Sequence, residues 1–377
     1  MARTLAATFL LVALIAAGLS FALPARALDE VDPASLTAPP LMATLPTLGD
    51  LVPVEPAPQN WWPGLPSASA VTGPNYPAGL RLIATQRFSR EPGYASPAYM
   101  DITLLAFKNR ESAHAAFRAH AAAVSAAGAH ELRGPDLVNE RRYYAAPASG
   151  GMFTAEADYR NGFLVVFLSL VSAEGPISAG DMGKLARPIL DKVQALRYGQ
   201  ITTPALPADF DKLLPPPRVE FEVGPVTNSL ALAPQVWALR GPGSPESVMR
   251  RITAAGVSLL YYRTYTITLL PGHTMQVTLF PCKDAQAASA LVQPFREVPR
   301  NGASVLPAGA TGPQSALRFS PATQSYELQF AKGIYAADVI ATGPPGGQAD
   351  LLCQIFVRLL AERWYAALPS PLVLGNE

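Results

Sequence analysis

The alternation of apolar and polar positions along this chain is written twice. In the first writing, strand-like apolar runs cover Leu80–Phe88 and Tyr99–Phe107. Asn109 then stands where a short polar side chain accepts from the first unpaired N–H groups of a helix. Ala113, Phe117, Ala121 and Val124 recur at helical spacing to about Ala127. Three more strands are expected over about Asn139–Ala146, Met152–Tyr159 and Phe163–Val171. The last two flank Asn161-Gly162, a pair suited to the positive φ angles of a tight hairpin. Leu185, Ile189 and Val193 mark a closing helix, with Asp181 as its expected cap.

The second writing keeps the order. Val257–Tyr265 and Met275–Phe280 predict strands, and Asp284 stands where Asn109 stood. Tyr326–Phe330 and Ile334–Ile340 predict a hairpin about Lys332-Gly333, and Asp350 is the expected cap of a helix bearing Leu352, Ile355, Leu359 and Trp364. An extra helix is expected over Pro245–Ala254, capped by Ser244, with Val248 and Ile252 on one face. Identities carry the duplication. APQNW at 57–61 returns as APQVW at 233–237, AGLRL at 78–82 as AGVSL at 255–259, and ITLLAFKN at 102–109 as VTLFPCKD at 277–284. The fold class that follows is α+β: two tandem copies of a ββαβββα unit, each an antiparallel sheet packed by helices. This element order is similar to that of extracytoplasmic sensor domains and PsbP-like domains of exported bacterial proteins. The resemblance implies an extracytoplasmic α+β module and carries no site residue with it.

Outside the copies, composition sets the boundaries. Residues 1–27 read as a signal peptide: Arg3 is the positive end, Leu5 to Ala22 the apolar stretch, Pro24 the helix breaker, and Ala25-Arg26-Ala27 a small-x-small cleavage box. The expected mature end is Leu28, with an uncleaved N-terminal anchor as the alternative. Residues 28–54 read as a Pro/Ala-rich extended segment, 55–198 as the first repeat domain and 199–225 as a Pro-rich linker. The second repeat domain spans 226–368, and 369–377 form a C-terminal tail. No later run approaches the ~20 apolar residues of a spanning helix, so no membrane span is expected after signal removal.

The formal net charge of +1, with 15% charged residues, excludes the basic stripe that nucleic acid requires. No nucleophile elbow, H-E-x-x-H pair or phosphate loop occurs. His114 and His120 share a helix but lie about 240° apart around it, and His130 and His273 lie elsewhere. The glycines and prolines of 343–347 read as a turn into a helix rather than an anion cradle, because prolines lack the needed N–H. No catalytic, cofactor-binding or metal-binding residue is therefore assigned, and no cofactor is expected. In an oxidising compartment Cys282 and Cys353 read as a disulfide. Trp61 and Trp237, in the repeated motif, read as core anchors. On an alternating strand Tyr261 and Tyr265 face one way and Tyr262 the other, which makes them a possible binding face or a contact between the copies. The function that fits is a non-catalytic binding or sensing module of the bacterial cell envelope, its partner an unknown ligand or envelope component. The alternatives are an exported hydrolase with a non-standard carboxylate-based site and a purely structural envelope protein.

Overall fold

The computed structural model describes residues 29–369, except 52–60, 72, 91–98, 202, 204–209, 217, 219–220, 224–228, 237–244, 297–303, 307–310, 313–314, 321–324 and 344–346. Residues 1–27, read as a signal peptide, Trp237, Ser244 and most of the C-terminal tail lie outside the described residues.

The first unit opens with α1 (Ala38–Ala43) and α2 (Leu48–Leu51). Its strands are β1 (Trp61–Pro63), β2 (Ser67–Ala70), β3 (Leu80–Arg90), β4 (Tyr99–Phe107), β5 (His130–Glu131), β6 (Glu140–Ala145), β7 (Phe153–Asn161) and β8 (Leu164–Ser172). Helix α3 (Arg110–Ala126) follows β4, and α4 (Ala179–Arg197) closes the unit. The second unit holds β9 (Phe221–Val223), β10 (Ser229–Leu232), α5 (Pro245–Ala254), β11 (Leu259–Ile267), β12 (Thr274–Pro281), α6 (Ala285–Arg296), β13 (Ser304–Leu306), β14 (Ser315–Ser320), β15 (Ser325–Lys332), β16 (Tyr335–Thr342) and α7 (Gly347–Ala367).

Each unit is built on one antiparallel sheet, and the strand orders agree. The order β3-β4-β8-β7-β6-β5 in the first sheet is matched by β11-β12-β16-β15-β14-β13 in the second. Each copy carries three strands more than the ββαβββα reading: β1 and β2 beside β3 with β5 at the far edge, and β9 and β10 beside β11 with β13 at the far edge. Strands of two to four residues give too little alternation to stand out from a loop.

Each sheet is covered on both faces. On one face of the first sheet α4 presents Leu185, Ile189 and Val193 to a core with Ile102, Ala157, Tyr159 and Leu168. On the other, α3 sets Ala113 and Phe117 against Leu105, Phe107 and Val165. The second sheet packs Phe356, Leu360 and Trp364 of α7 on Met275, Val277 and Phe330. Its opposite face takes Val248 and Ile252 of α5 and Leu291 of α6 on Tyr262, Phe280 and Ala336.

The helix starts follow the sequence in part. Asn109 Oδ1 accepts from the Ser112 amide at 2.8 Å, and Asp284 Oδ1 accepts from the Ala287 amide at 2.6 Å, so the two copies are capped in the same register. The closing helices begin three and four residues earlier than expected, at Ala179 and Gly347. Ser178 caps α4, its hydroxyl accepting from the Asp181 amide at 3.1 Å while donating to the Asp181 carboxylate at 2.6 Å. Helix α7 begins at Gly347, which leaves Asp350 in its first turn. Its buried stripe is Cys353, Phe356, Val357, Leu360 and Trp364, and Ile355 is 47% exposed. Two stripes of comparable apolarity run along this helix, so periodicity alone did not separate them.

Three expectations are corrected by packing. Residues 29–51, within the stretch read as extended, are not an extended arm: α1 and α2 form there, and Leu36, Leu41, Met42, Leu45 and Leu51 are buried in the first core. Pro39 and Pro40 fall in the first turn of α1, where a missing N–H removes no helical bond. Nor is 199–225 only a connector. Leu214 is in the second core, β9 pairs with β11, and the Pro215 carbonyl accepts from Arg263 Nη1 and the Tyr265 hydroxyl.

The third correction is the disulfide. Cys282 and Cys353 are both buried and not bonded to each other. Cys282 packs with α5 and α6 on one face of the second sheet, whereas Cys353 of α7 packs on the other. The sheet itself separates the thiols, a relation that strand and helix order could not reveal. Burial pushes the Cys282 thiol up to about 11, so little reactive thiolate is present. Mass spectrometry of unreduced protein is expected to show no bridge, with both thiols alkylated only after denaturation. A single bridged species would contradict this arrangement.

Candidate functional site

The three strand tyrosines are core residues: Tyr261 is 4%, Tyr262 2% and Tyr265 0% exposed. Tyr261 and Tyr265 belong to the α7 side, and Tyr262 points to the opposite face, where its hydroxyl donates to the Pro66 carbonyl of the first unit. The alternation was legible, but both faces are covered, so the strand offers no aromatic surface to solvent. Trp61 is buried in the first core. Side-chain hydrogen bonds cross the seam between the units, where Leu65 of the first also packs against the second core. Gln235, from the second APQ motif, donates through Nε2 to the Met42 and Leu45 carbonyls at 2.8 and 3.1 Å, and Gln86 donates to the Gln235 carbonyl at 2.6 Å.

Residues that the sequence reading left unassigned gather under α3. Strand β7 alternates strictly: Ala155, Ala157 and Tyr159 enter the α4-side core, which turns Glu156 and Asp158 toward α3. His120, on α3, reaches down to them. Its Nε2 contacts Glu156 Oε1 and lies 3.9 Å from Asp158 Oδ2. One ligand atom from each of the three residues lies within 4.8 Å of the other two. The His120 ring packs on Phe167 of β8 at a centroid distance of 4.1 Å, which fixes its approach.

The electrostatics of the three groups differ sharply. The His120 side chain is 32% and that of Glu156 24% exposed, but Asp158 has no exposed surface. Beyond the neighbouring Glu156 carboxyl, neither oxygen of the Asp158 carboxylate has a hydrogen-bond partner. Burial, and then the charge of Glu156, push its carboxyl up to about 9. Arg142, opposite Asp158 in the β6–β7 ladder, opposes that shift but lies 3.8 Å from Glu131 as well. Burial also pushes Glu156 up, yet its contacts with His120 and Asp158 hold it below its ordinary value. One acid of the pair is therefore ionised beside an imidazole, and its neighbour is held as the neutral acid.

The other histidines do not join this set. His114 Nδ1 lies 2.8 Å from Glu140 Oε2, in a separate cluster where Glu140 also binds Arg160. His130 is exposed on β5 and His273 buried near Gly343. In the second copy the set is incomplete. Counting back from the hairpin turn, Glu327 and Gln329 occupy the places of Glu156 and Asp158, and counting from the helix cap Phe295 occupies that of His120. There Gln329 Nε2 donates to Glu327 Oε1 at 3.1 Å, so an amide stands where the first copy has an acid.

No histidine stands at helical spacing from His120. The partners come instead from a strand, at i and i+2. The available signal was the polar row Thr154, Glu156, Asp158 and Arg160 on a strand central enough to be covered on both faces.

Among the described residues no helix is long and apolar enough to cross a membrane. No family model matches the chain, and no curated protein matches it. Two solved structures show distant likeness. The extracellular domain of PknH from Mycobacterium tuberculosis matches with a TM-score of 0.34 and 17% identity, over 44% of this chain and 98% of that one. MucB in complex with MucA(peri) matches with a TM-score of 0.14 and 9% identity, over 81% of this chain and 95% of that one. Likenesses this distant leave fold and site to rest on the chain's own geometry.

Proposed function

We propose that this chain is an exported, non-catalytic binding or sensing module of the cell envelope, with the His120–Glu156–Asp158 cluster as its ligand seat. The observation that carries the reading is the asymmetry between copies. One fold occurs twice, and among the described residues the imidazole with two acids is complete in one copy only. The partly exposed His120 and Glu156 give a small ligand an approach to the buried Asp158.

The carboxylate pair favours a second reading, hydrolysis, because environments that push two acids apart are how acid and base roles are divided. Burial favours the binding reading. Hydrolysis by paired carboxylates requires both at the scissile bond, and the Asp158 side chain has no exposed surface. The N-terminal pattern of Arg3, the apolar run and Ala25-Arg26-Ala27 supports export.

N-terminal sequencing of the exported protein is expected to begin at Leu28. A thermal-shift panel of envelope glycans, lipids, peptides and metal ions is expected to yield a stabilising ligand whose effect is lost in Glu156→Gln. Turnover of an ester, peptide or glycoside that Glu156→Gln abolishes would instead establish the hydrolase reading.

A further inference from the structure

We propose that His120, Glu156 and Asp158 bind a divalent first-row transition-metal cation between α3 and the first sheet. The proposal deepens the ligand-seat reading and rests on it. Two independent observations carry it. The first is geometric: one imidazole nitrogen and two carboxylate oxygens from two packed elements lie within 4.8 Å of one another. Ligand bonds of about 2.0–2.2 Å place the donors of one ion roughly 3–3.5 Å apart. The 3.9 Å between His120 Nε2 and Asp158 Oδ2 is therefore within a side-chain adjustment of that spacing.

The second observation is that the Asp158 carboxylate is fully buried and, beyond the Glu156 carboxyl of the same cluster, neither oxygen receives a hydrogen bond. Buried carboxylates in proteins are ordinarily hydrogen-bonded, paired or bound to metal. A divalent cation balances two carboxylates and a neutral imidazole without residual charge.

The donor set chooses the class of ion. Calcium takes six to eight oxygens and magnesium keeps a shell of waters, so neither favours a site with an imidazole among three ligands. Zinc and manganese accept mixed nitrogen and oxygen donors. Three protein ligands, two of them partly exposed, leave a coordination position open to water or to a polar group of a second ligand. Phe167 packs on the His120 ring and steadies its orientation.

The test uses tag-free mature protein stripped with chelator and titrated calorimetrically with zinc and with manganese. One ion per chain is expected. His120→Ala, Glu156→Gln and Asp158→Asn are each expected to weaken binding by at least about tenfold. His114→Ala, on the same helix but paired with Glu140, is expected to leave it unchanged. Circular dichroism of each variant separates loss of the site from loss of the fold, and cobalt substitution reads the nitrogen and oxygen ligands directly by visible absorption. Failure of both ions to bind the wild type overturns the proposal, as does equal binding by all three site variants. If both ions fail while another panel ligand still depends on Glu156, the ligand seat survives and the metal falls. If nothing depends on Glu156, both readings fall together.

Discussion

Asp158→Asn is expected to make the metal-free protein more stable, by about 2–4 kcal/mol near neutral pH. The folded-state carboxyl is pushed up to about 9, from an ordinary value of 3.8. Across that window the unfolded chain has released the proton and the folded chain retains it, so folding takes up a proton. Stability therefore falls as pH rises from about 3.8 toward 9, by at most about 1.4 kcal/mol per unit. Asparagine has nearly the same shape and no charge to neutralise, so the variant escapes this cost. The gap between variant and wild type is expected to vanish near pH 4 and to widen toward pH 8, read from denaturant midpoints in chelator. A variant less stable than wild type at pH 8 would mean that Asp158 is ionised and well compensated in the fold. A stabilising loss of this kind is the usual mark of a residue kept for function.

Trp364→Ala is expected to have the opposite sign and a comparable size, a loss of about 3–5 kcal/mol in the second unit. Trp364 is 1% exposed and meets Phe330 edge to face at 5.6 Å. Its indole N–H also donates to the Leu213 carbonyl at 2.7 Å, tying the inter-repeat segment to the second core. Truncation removes the packing, leaves a cavity and strands that carbonyl. Trp364→Phe keeps most of the ring and isolates the hydrogen bond, with an expected loss of about 1–2 kcal/mol. Ile355→Ala, on the same helix but largely exposed, is expected to change stability by no more than about 0.5 kcal/mol. Equal losses for Ile355→Ala and Trp364→Ala would place the buried face of α7 elsewhere.

Much of the architecture was legible because it was repeated. The paired caps Asn109 and Asp284 and the shared strand order follow from a register that two copies display independently. The hairpin turns expected at Asn161-Gly162 and Lys332-Gly333 fall one residue later in both copies, at Gly162-Phe163 and Gly333-Ile334. The failures concern relations in space. The side of the sheet on which each helix packs separates Cys282 from Cys353, and no local pattern encodes it. Pro39 and Pro40 read as helix breakers, but at a helix start the same ring is harmless. The site was missed because its members belong to different elements. Glu156 and Asp158 look like solvent-facing alternation until α3 is known to cover them.

The bonds made by Gln235 bear on the order in which the molecule is completed. Its amide reaches carbonyls 193 and 190 positions earlier in the chain. The α1 segment leaves the ribosome long before the residue that secures it. At synthesis rates of about 5–20 residues per second that interval is roughly 10–40 s. Throughout it, Leu41, Met42 and Leu45 have their own core but not the polar seal supplied from the far copy. The first copy synthesised is in this sense the last to be finished, and a fragment ending near residue 198 lacks part of its own N-terminal anchorage.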